Sequence, residues 1–401
     1  MTRPPYRILP TIVFAQFAGS SIWFAGNAVL PDLQRRWGLP QETLGDITAA
    51  VQFGFVAGTL AFAVLAISDR YSPRKIFLVC SMLGALANAA AYFIGPSLWP
   101  LLSLRFATGF FLAGIYPVGM KIASGWYQRD LGKALGFLVG ALVLGTAFPH
   151  LIRGLGQTLP WQSVMLAVSA LALVGGALMF ALVPDGPYFR AGSSFDPKAL
   201  AVIFGSRMFR ASSFGYFGHM WELYAFWAFV PSLAAAYATR TMDAGLNIPL
   251  CTFAVIAAGA LGCIVGGLVS LRLGSPRVAF AQLGMSGLCC LASPLAFHLP
   301  APIFLAYLLL WGVVVVGDSP QFSALNAQYA PGALVGSALT IANSIGFGIT
   351  ILSVQLLNYA IGVVGVQYVF LLLLPGPLLG LLALTPLVRG GETHASTREA
   401  G

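Results

Sequence analysis

Apolar residues run along this chain in blocks of about twenty, each long enough to cross roughly 30 Å of hydrocarbon as a helix. The blocks fall at 8–30, 43–67, 75–95, 100–125, 133–155, 161–183, 210–238, 247–271, 277–297, 301–326, 334–360 and 364–388. A helix satisfies its own backbone in lipid, so the pattern predicts twelve transmembrane helices. Pro and Gly supply most of the breaks on either side of the tenth block. The longest connection, VPDGPYFRAGSSFDPKALAVIFGSRM, is polar and follows the sixth block. It divides the chain into residues 1–183, a linker at 184–209, residues 210–388 and a tail at 389–401.

The two sets of six look related. At a constant offset, Phe14 meets Phe214, Phe17 meets Phe217, Pro31 meets Pro231 and Leu33 meets Leu233. Span four carries GIYPVG and span ten GDSPQF, so Pro117 corresponds to Pro320. The loop after span two reads SDRYSPRK and the loop after span eight SLRLGSPRV. Several matches in one order argue for duplication of a six-helix unit.

Composition agrees with a lipid solvent. Hydrophobic residues make up 58% and charged residues 8%, against roughly 25% charged in a soluble domain. Mean hydropathy is +0.85. A net charge of +9 would suit nucleic acid, but its placement fits membrane orientation instead. With the N-terminus inside, inner segments hold Arg3, Arg7, Arg70, Arg74, Lys75, Arg129, Lys133, Arg190, Lys198, Arg207, Arg210, Arg272, Arg277, Arg389 and Arg398. The outer loops hold Arg35, Arg36, Arg153 and Arg240. The asymmetry predicts a multi-pass protein of the cytoplasmic (inner) membrane with both termini cytoplasmic. The first block is read as a retained span rather than a signal peptide, because many similar blocks follow. Cys80, Cys251, Cys263, Cys289 and Cys290 all lie in apolar stretches without metal-ligand spacing, and read as packing residues.

Short motifs sharpen the picture. The loop after span two reads Asp69, Arg70, Tyr71, Ser72, Pro73, Arg74, Lys75; span four carries Arg105 and Gly109 at an R-x-x-x-G spacing; and Lys133, Ala134, Leu135, Gly136 follow span four. With twelve spans and a mid-chain linker, the chain resembles the major facilitator superfamily over essentially its full length. Ser72 stands where the family's loop motif has Gly, and Leu271 stands where a second copy would have Asp. The resemblance implies an all-α membrane protein of two pseudo-symmetric six-helix bundles that rock about a central cavity. It implies that spans 1, 4, 7 and 10, with 2, 5, 8 and 11, line the path. It also implies a cytoplasmic clamp at Asp69, Arg70, Arg74 and Lys75, and a role for Arg105 in conformational coupling or proton transfer. The Gly-Pro pair of the family's drug antiporters is missing from span five, which has Gly136, Gly140, Gly145 and Pro149. Nitrate porters of the family are expected to place an Arg in spans two and eight, and neither block has one.

A charge at bilayer depth costs at least about 2.5–3.5 kcal/mol, so an embedded ionisable residue marks a functional site by default. The embedded set is Arg105, Lys121, His150, His219, Glu222 and Asp318, on spans four, five, seven and ten. Glu222 shares a helical face with Gly215 and Gly218, where a helix or a solute can approach closely. It is a candidate to take up and release a proton, or to make a structural hydrogen bond. His219, one turn earlier, either shares that proton or packs as one more ring. Asp318 precedes Pro320, whose ring frees a carbonyl and bends the helix; it reads as a proton or cation site, or as a partner of Lys121 or Arg105. Lys121 either attracts an anion or snorkels to the headgroups. His150 follows Pro149. Gln16, Asn27, Gln52, Gln321, Asn343 and Gln355 are amides that suit either a solute with several polar atoms or helix–helix contact. Trp23, Tyr116, Trp221, Tyr224 and Trp227 are candidates to stack on a planar solute.

These features predict a proton-coupled secondary transporter for a small polar, anionic organic solute, working by alternating access; the alternative is proton-driven efflux of a drug. Symport and antiport both remain open. Expected partners are the solute, protons and the bilayer, without nucleic acid, for a monomer. No cofactor or metal is expected. No GxxxxGK[ST] loop points to ATP, and neither HExxH nor G-x-S-x-G points to an enzyme. Short ends argue against a sensor or channel.

Overall fold

The computed structural model describes residues 5–127, 131–156, 158–188, 199–242, 245–331 and 334–399, with their side chains apart from 69, 131, 199–201 and 390–399. Arg3, Arg129, Arg190 and Lys198 therefore lie outside the described residues. All regular structure in the described residues is helical. In the first half it runs α1 (Ile8–Ser20), α2 (Ala25–Trp37), α3 (Thr43–Val64), α4 (Ile67–Arg70), α5 (Pro73–Ala90), α6 (Leu98–Leu112), α7 (Tyr116–Trp126), α8 (Leu131–Leu155) and α9 (Trp161–Leu182). In the second half it runs α10 (Ala199–Gly205), α11 (Arg207–Thr241), α12 (Ile248–Leu273), α13 (Ser275–Ala296), α14 (Ala301–Gly317), α15 (Ser319–Tyr329), α16 (Val335–Val364), α17 (Val366–Val369) and α18 (Pro375–Glu399). Two short 3-10 turns follow α5 and α17.

Each predicted span is present. Spans one, four and ten are broken, as α1/α2, α6/α7 and α14/α15. Pro117 and Pro320 each sit in the first turn of the second piece, where the missing N–H costs nothing. Among the described residues, eleven helical stretches are long and apolar enough to cross a membrane. The remaining one, α11, is 35 residues long; His219, Glu222 and its Tyr and Trp rings dilute its apolar character. The last helix, α18, continues to Glu399, through residues 389–399 that the apolar pattern assigns to a tail.

Within the first half α3 packs on α6, α5 on α9 and α1 on both α8 and α9; within the second, α11 packs on α18, α12 on α14 and α13 on α14 and α18. Several of these seams bring backbone onto backbone, α3/α6 and α12/α14 most closely. A Cβ on Gly109 would fall 1.9 Å from the Val51 carbonyl oxygen, and one on Gly312 would fall 2.0 Å from that of Val255. Only glycine permits that approach, and the two contacts are equivalent positions of the duplicated unit. The halves meet chiefly through α8 against α12 and α3 against α16. Leu271, Leu295 and Leu382 are 72–82% exposed on the outside, as side chains facing acyl tails should be.

Candidate functional site

A cavity of about 610 Å³ lies between the halves. It reaches the face where α3, α7 and α15 end and where α8 and α16 begin, the face whose loops carry most of the Lys and Arg. Tyr116, Lys121 and Ser124 of α7 line one wall; Tyr216, Tyr224 and Trp227 of α11 line the other. These α11 residues follow at i, i+8 and i+11, one helical face.

The opposite end is shut. Trp23 stacks on Tyr224 (5.7 Å between ring centroids) and on Phe347 (5.8 Å), and Phe55 meets Phe347 at 4.3 Å. These rings come from both halves; Tyr224 and Phe347 face the cavity as its floor, and Trp23 and Phe55 pack behind them. Beyond them the backbone N–H of Gly45 donates to Asn358 Oδ1 at 3.2 Å, and Asn358 Nδ2 donates to the Glu42 carbonyl at 2.8 Å. Asn247 of the second half donates to the Gly154 carbonyl at 3.0 Å, tying the α12 start to the α8 end. On the same side Arg153 grips Asp32 through two nitrogens, each at 2.8 Å.

Lys121 is the one ionisable side chain, aromatic phenols apart, among the described residues lining the cavity. Its Nζ donates to the Ser68 carbonyl at 2.6 Å. Asn343 also lines the cavity, as do Tyr116, Tyr224 and Trp227. Glu222, His219 and Asp318 do not. All three are fully buried in the second half, one layer behind the wall. His219 Nδ1 stands 2.8 Å from Asp318 Oδ1, so the imidazole faces Asp318 rather than Glu222, and Asp318 pairs with neither Lys121 nor Arg105. Asp318 occupies the junction between α14 and α15, where the backbone bends toward α11. Glu222 turns to α13, where Cys290 Sγ lies 3.5 Å from Oε2. Its Oε1 has no partner among the described residues, and neither has Asp318 Oδ2 or His219 Nε2. Tyr216 and Phe322 rings cover His219 from the cavity side, at 6.1 and 5.6 Å. The face carrying Gly215 and Gly218 packs on Leu384 and the Gly376 backbone of α18, so a helix approaches there, not a solute.

Arg105 is buried in the first half. Its guanidinium donates to Asn88 Oδ1 at 3.0 Å, to the Ile22 carbonyl at 3.2 Å and to the Trp23 carbonyl. These carbonyls belong to the break between α1 and α2, so Arg105 supplies the donors that the broken helix lacks. Asn88 in turn donates to Ser169 Oγ at 2.9 Å. Most other predicted polar residues join helices. Asn27 donates to Thr48 Oγ1 at 2.7 Å and Trp23 Nε1 to Gln52 Oε1 at 3.3 Å, whereas Gln16 bonds within α1, donating to Ser20 Oγ at 3.1 Å. Gln355 reaches Asp46 across the halves at 3.4 Å. His150 and Gln321 are buried away from the cavity, and Trp221 donates to the Leu372 carbonyl at 3.1 Å.

In the loop motif, the Asp69 side chain lies outside the described residues. Arg70 and Lys75 are exposed. Arg74 stays within its own half: its Nε is 3.8 Å from Asp185 and it lies over the Phe180 ring. Ser72 Oγ bonds both Asp185 oxygens at 2.8 Å. No described contact of these motif residues bridges the halves, as an open cavity on that face requires. The sequence reading missed Tyr216, Asn326 and Asn358. For Tyr216 the signal was available in its spacing from Tyr224 and Trp227. Asn358 gave none, because its partners lie more than 300 residues away.

The fold has counterparts among known proteins. A proton:xylose symporter of known structure superposes with a TM-score of 0.74 at 13% identity, covering 95% of this chain and 96% of that one. A gentisate transporter of Corynebacterium glutamicum is 23% identical over 96% of this chain and 88% of its own length. A 4-hydroxybenzoate transporter of Pseudomonas aeruginosa is 29% identical over 46% of this chain and 42% of that protein; the matched region spans under half of that relative. The family model described as Major Facilitator Superfamily matches residues 12–354. The chain therefore belongs to the Major Facilitator Superfamily of secondary transporters, and is a membrane transporter rather than an enzyme.

Proposed function

We propose that the protein is a proton-coupled transporter of a small aromatic carboxylate, working by alternating access in the cytoplasmic membrane. One observation carries the reading: a cavity between the halves joins an aromatic floor to a wall bearing a single cationic side chain, Lys121. A benzoate-sized anion has these two needs. Its ring stacks on Trp227, Tyr224 or Phe347, and Lys121, near the mouth, draws the charge inward. The names of the gentisate and 4-hydroxybenzoate transporters support the same substrate class. In this reading the basic face is cytoplasmic, with both termini there, and residues 1–183 and 210–388 move as the two bundles about the 184–209 linker. The protein acts as a monomer.

Coupling falls to Glu222, His219 and Asp318. Ionised groups with unpartnered atoms are costly in a site without water. A proton shared by the His219–Asp318 pair, or held on Glu222, relieves that cost while the site is covered. Rotation of α11 against α15 then uncovers it to one side at a time. The test is uptake into proteoliposomes under an imposed proton gradient, with radiolabelled 4-hydroxybenzoate and gentisate. The wild type accumulates at least one of them. Glu222→Gln and Asp318→Asn retain binding and exchange but lose gradient-driven accumulation. Intact accumulation in both variants would sink the coupling assignment, and transport of neither acid by the wild type would sink the substrate class.

A further inference from the structure

The cavity holds a set of hydroxyls that no described contact uses. Tyr116 of α7 enters from the first half, and Tyr216 and Tyr224 of α11 from the second. None of the three phenols has a hydrogen-bond partner among the described residues. Much of the remaining polar lining is already engaged. Asn326 Oδ1 accepts from Ser212 at 2.6 Å, Ser323 donates to the Ser319 carbonyl at 3.1 Å, Ser124 donates to the Lys121 carbonyl at 2.8 Å, and Lys121 donates to Ser68. Three phenol donors facing one cavity from both halves, with no protein acceptor among the described residues, mark a place for an acceptor carried by the solute.

We infer that the phenolic hydroxyls of Tyr116, Tyr216 and Tyr224 form the seat for the carboxylate of the transported anion, with Tyr116 closing it from the opposite half. This inference rests on the anion reading above and assigns the contact that holds the anion to neutral donors rather than to Lys121. The chemistry favours such donors. A phenol titrates near pH 10, so at neutral pH it offers a hydrogen and no charge. Its bond to a carboxylate is charge-assisted and short. A direct ion pair would hold the anion against release once the cavity closes around it, because its attraction grows as the local dielectric falls. Neutral donors bind the anion and still let it go. Because the seat draws on both halves, a bound anion also bridges them.

The experiment is equilibrium binding to the full-length chain in nanodiscs, with 4-hydroxybenzoate and its neutral amide, 4-hydroxybenzamide, as probes. Phenylalanine keeps each ring and removes only the hydroxyl. Tyr116→Phe, Tyr216→Phe and Tyr224→Phe should each weaken acid binding about tenfold, the value of one hydrogen bond to a charged group. Amide binding should change less than about twofold, since the amide offers no oxyanion. Thermal melting confirms that each variant is folded, and the single variants decide should the triple variant fail to fold. The seat is overturned if the tyrosine variants keep the acid-over-amide preference, or if Lys121→Met alone abolishes it. Should the wild type bind the amide as tightly as the acid, or bind neither probe, the anion reading itself fails, and the seat with it.

Discussion

Asn358 is the place to test whether the closed end of the cavity is a breakable latch. Its amide receives the Gly45 N–H and donates to the Glu42 carbonyl, at 3.2 and 2.8 Å, across the seam between α3 and α16. The approach is tight, since a Cβ on Gly45 would fall 2.3 Å from the Asn358 amide. When the halves part at this end, water replaces both bonds, so only their net worth biases the equilibrium. Two neutral bonds at about 1 kcal/mol each give about 2 kcal/mol. The neighbouring Gln355–Asp46 contact, at 3.4 Å, is long and adds little. Asn358→Ala should therefore shift the population toward the form open at this end by about thirtyfold. Spin labels at Gln41→Cys and Val363→Cys, both exposed, would report the separation by double electron–electron resonance. Tyr359→Ala, a lipid-facing neighbour 77% exposed, serves as the control. A long-distance population that changes less than about twofold in Asn358→Ala would mean that the latch does not govern opening.

Further outcomes follow from the packing. Arg105→Met strands two carbonyls and the Asn88 amide in a buried site and should cost about 3 kcal/mol or more, read as a lower melting temperature in detergent; Arg105→Lys should recover part of it. Gly109→Ala and Gly312→Ala each drive a methyl into a facing carbonyl, so each should lower stability by about 1–3 kcal/mol, and by similar amounts because the two seams are equivalent. Ala66, ahead of the loop motif, has φ 49°; Ala66→Gly should raise stability by about 1 kcal/mol, measured as a higher melting temperature.

The twelve spans were legible because lipid leaves a backbone no alternative to a long apolar helix. The bend at Pro320 was legible from its ring, but proline alone does not mark a break, since α8 and α11 run unbroken through Pro149 and Pro231. The break in span one was not legible, since no proline marks it and its carbonyls are satisfied by Arg105, 82 and 83 residues away. The ionisable residues were legible as a set, but not their pairing. Helical spacing alone placed His219 beside Glu222; the bend at Asp318 brings a carboxylate to the imidazole from another helix, while Glu222 turns to Cys290. The glycine face of α11 was readable as a place of close approach, and only the packing of α18 on it shows that a helix takes that place.

Backbone-tight seams such as Gly109 on Val51 and Gly312 on Val255 leave no slack for sliding, so under the proposed alternating access spans two and four, and eight and ten, travel as stiff slabs. Tolerance to mutation should follow the same division. Changes inside a slab would threaten production of the protein at all, whereas changes along α3/α16 and α8/α12 would retune the pace of turnover and leave yield intact. An engineer seeking a faster or slower carrier should therefore work at the edges where slabs meet.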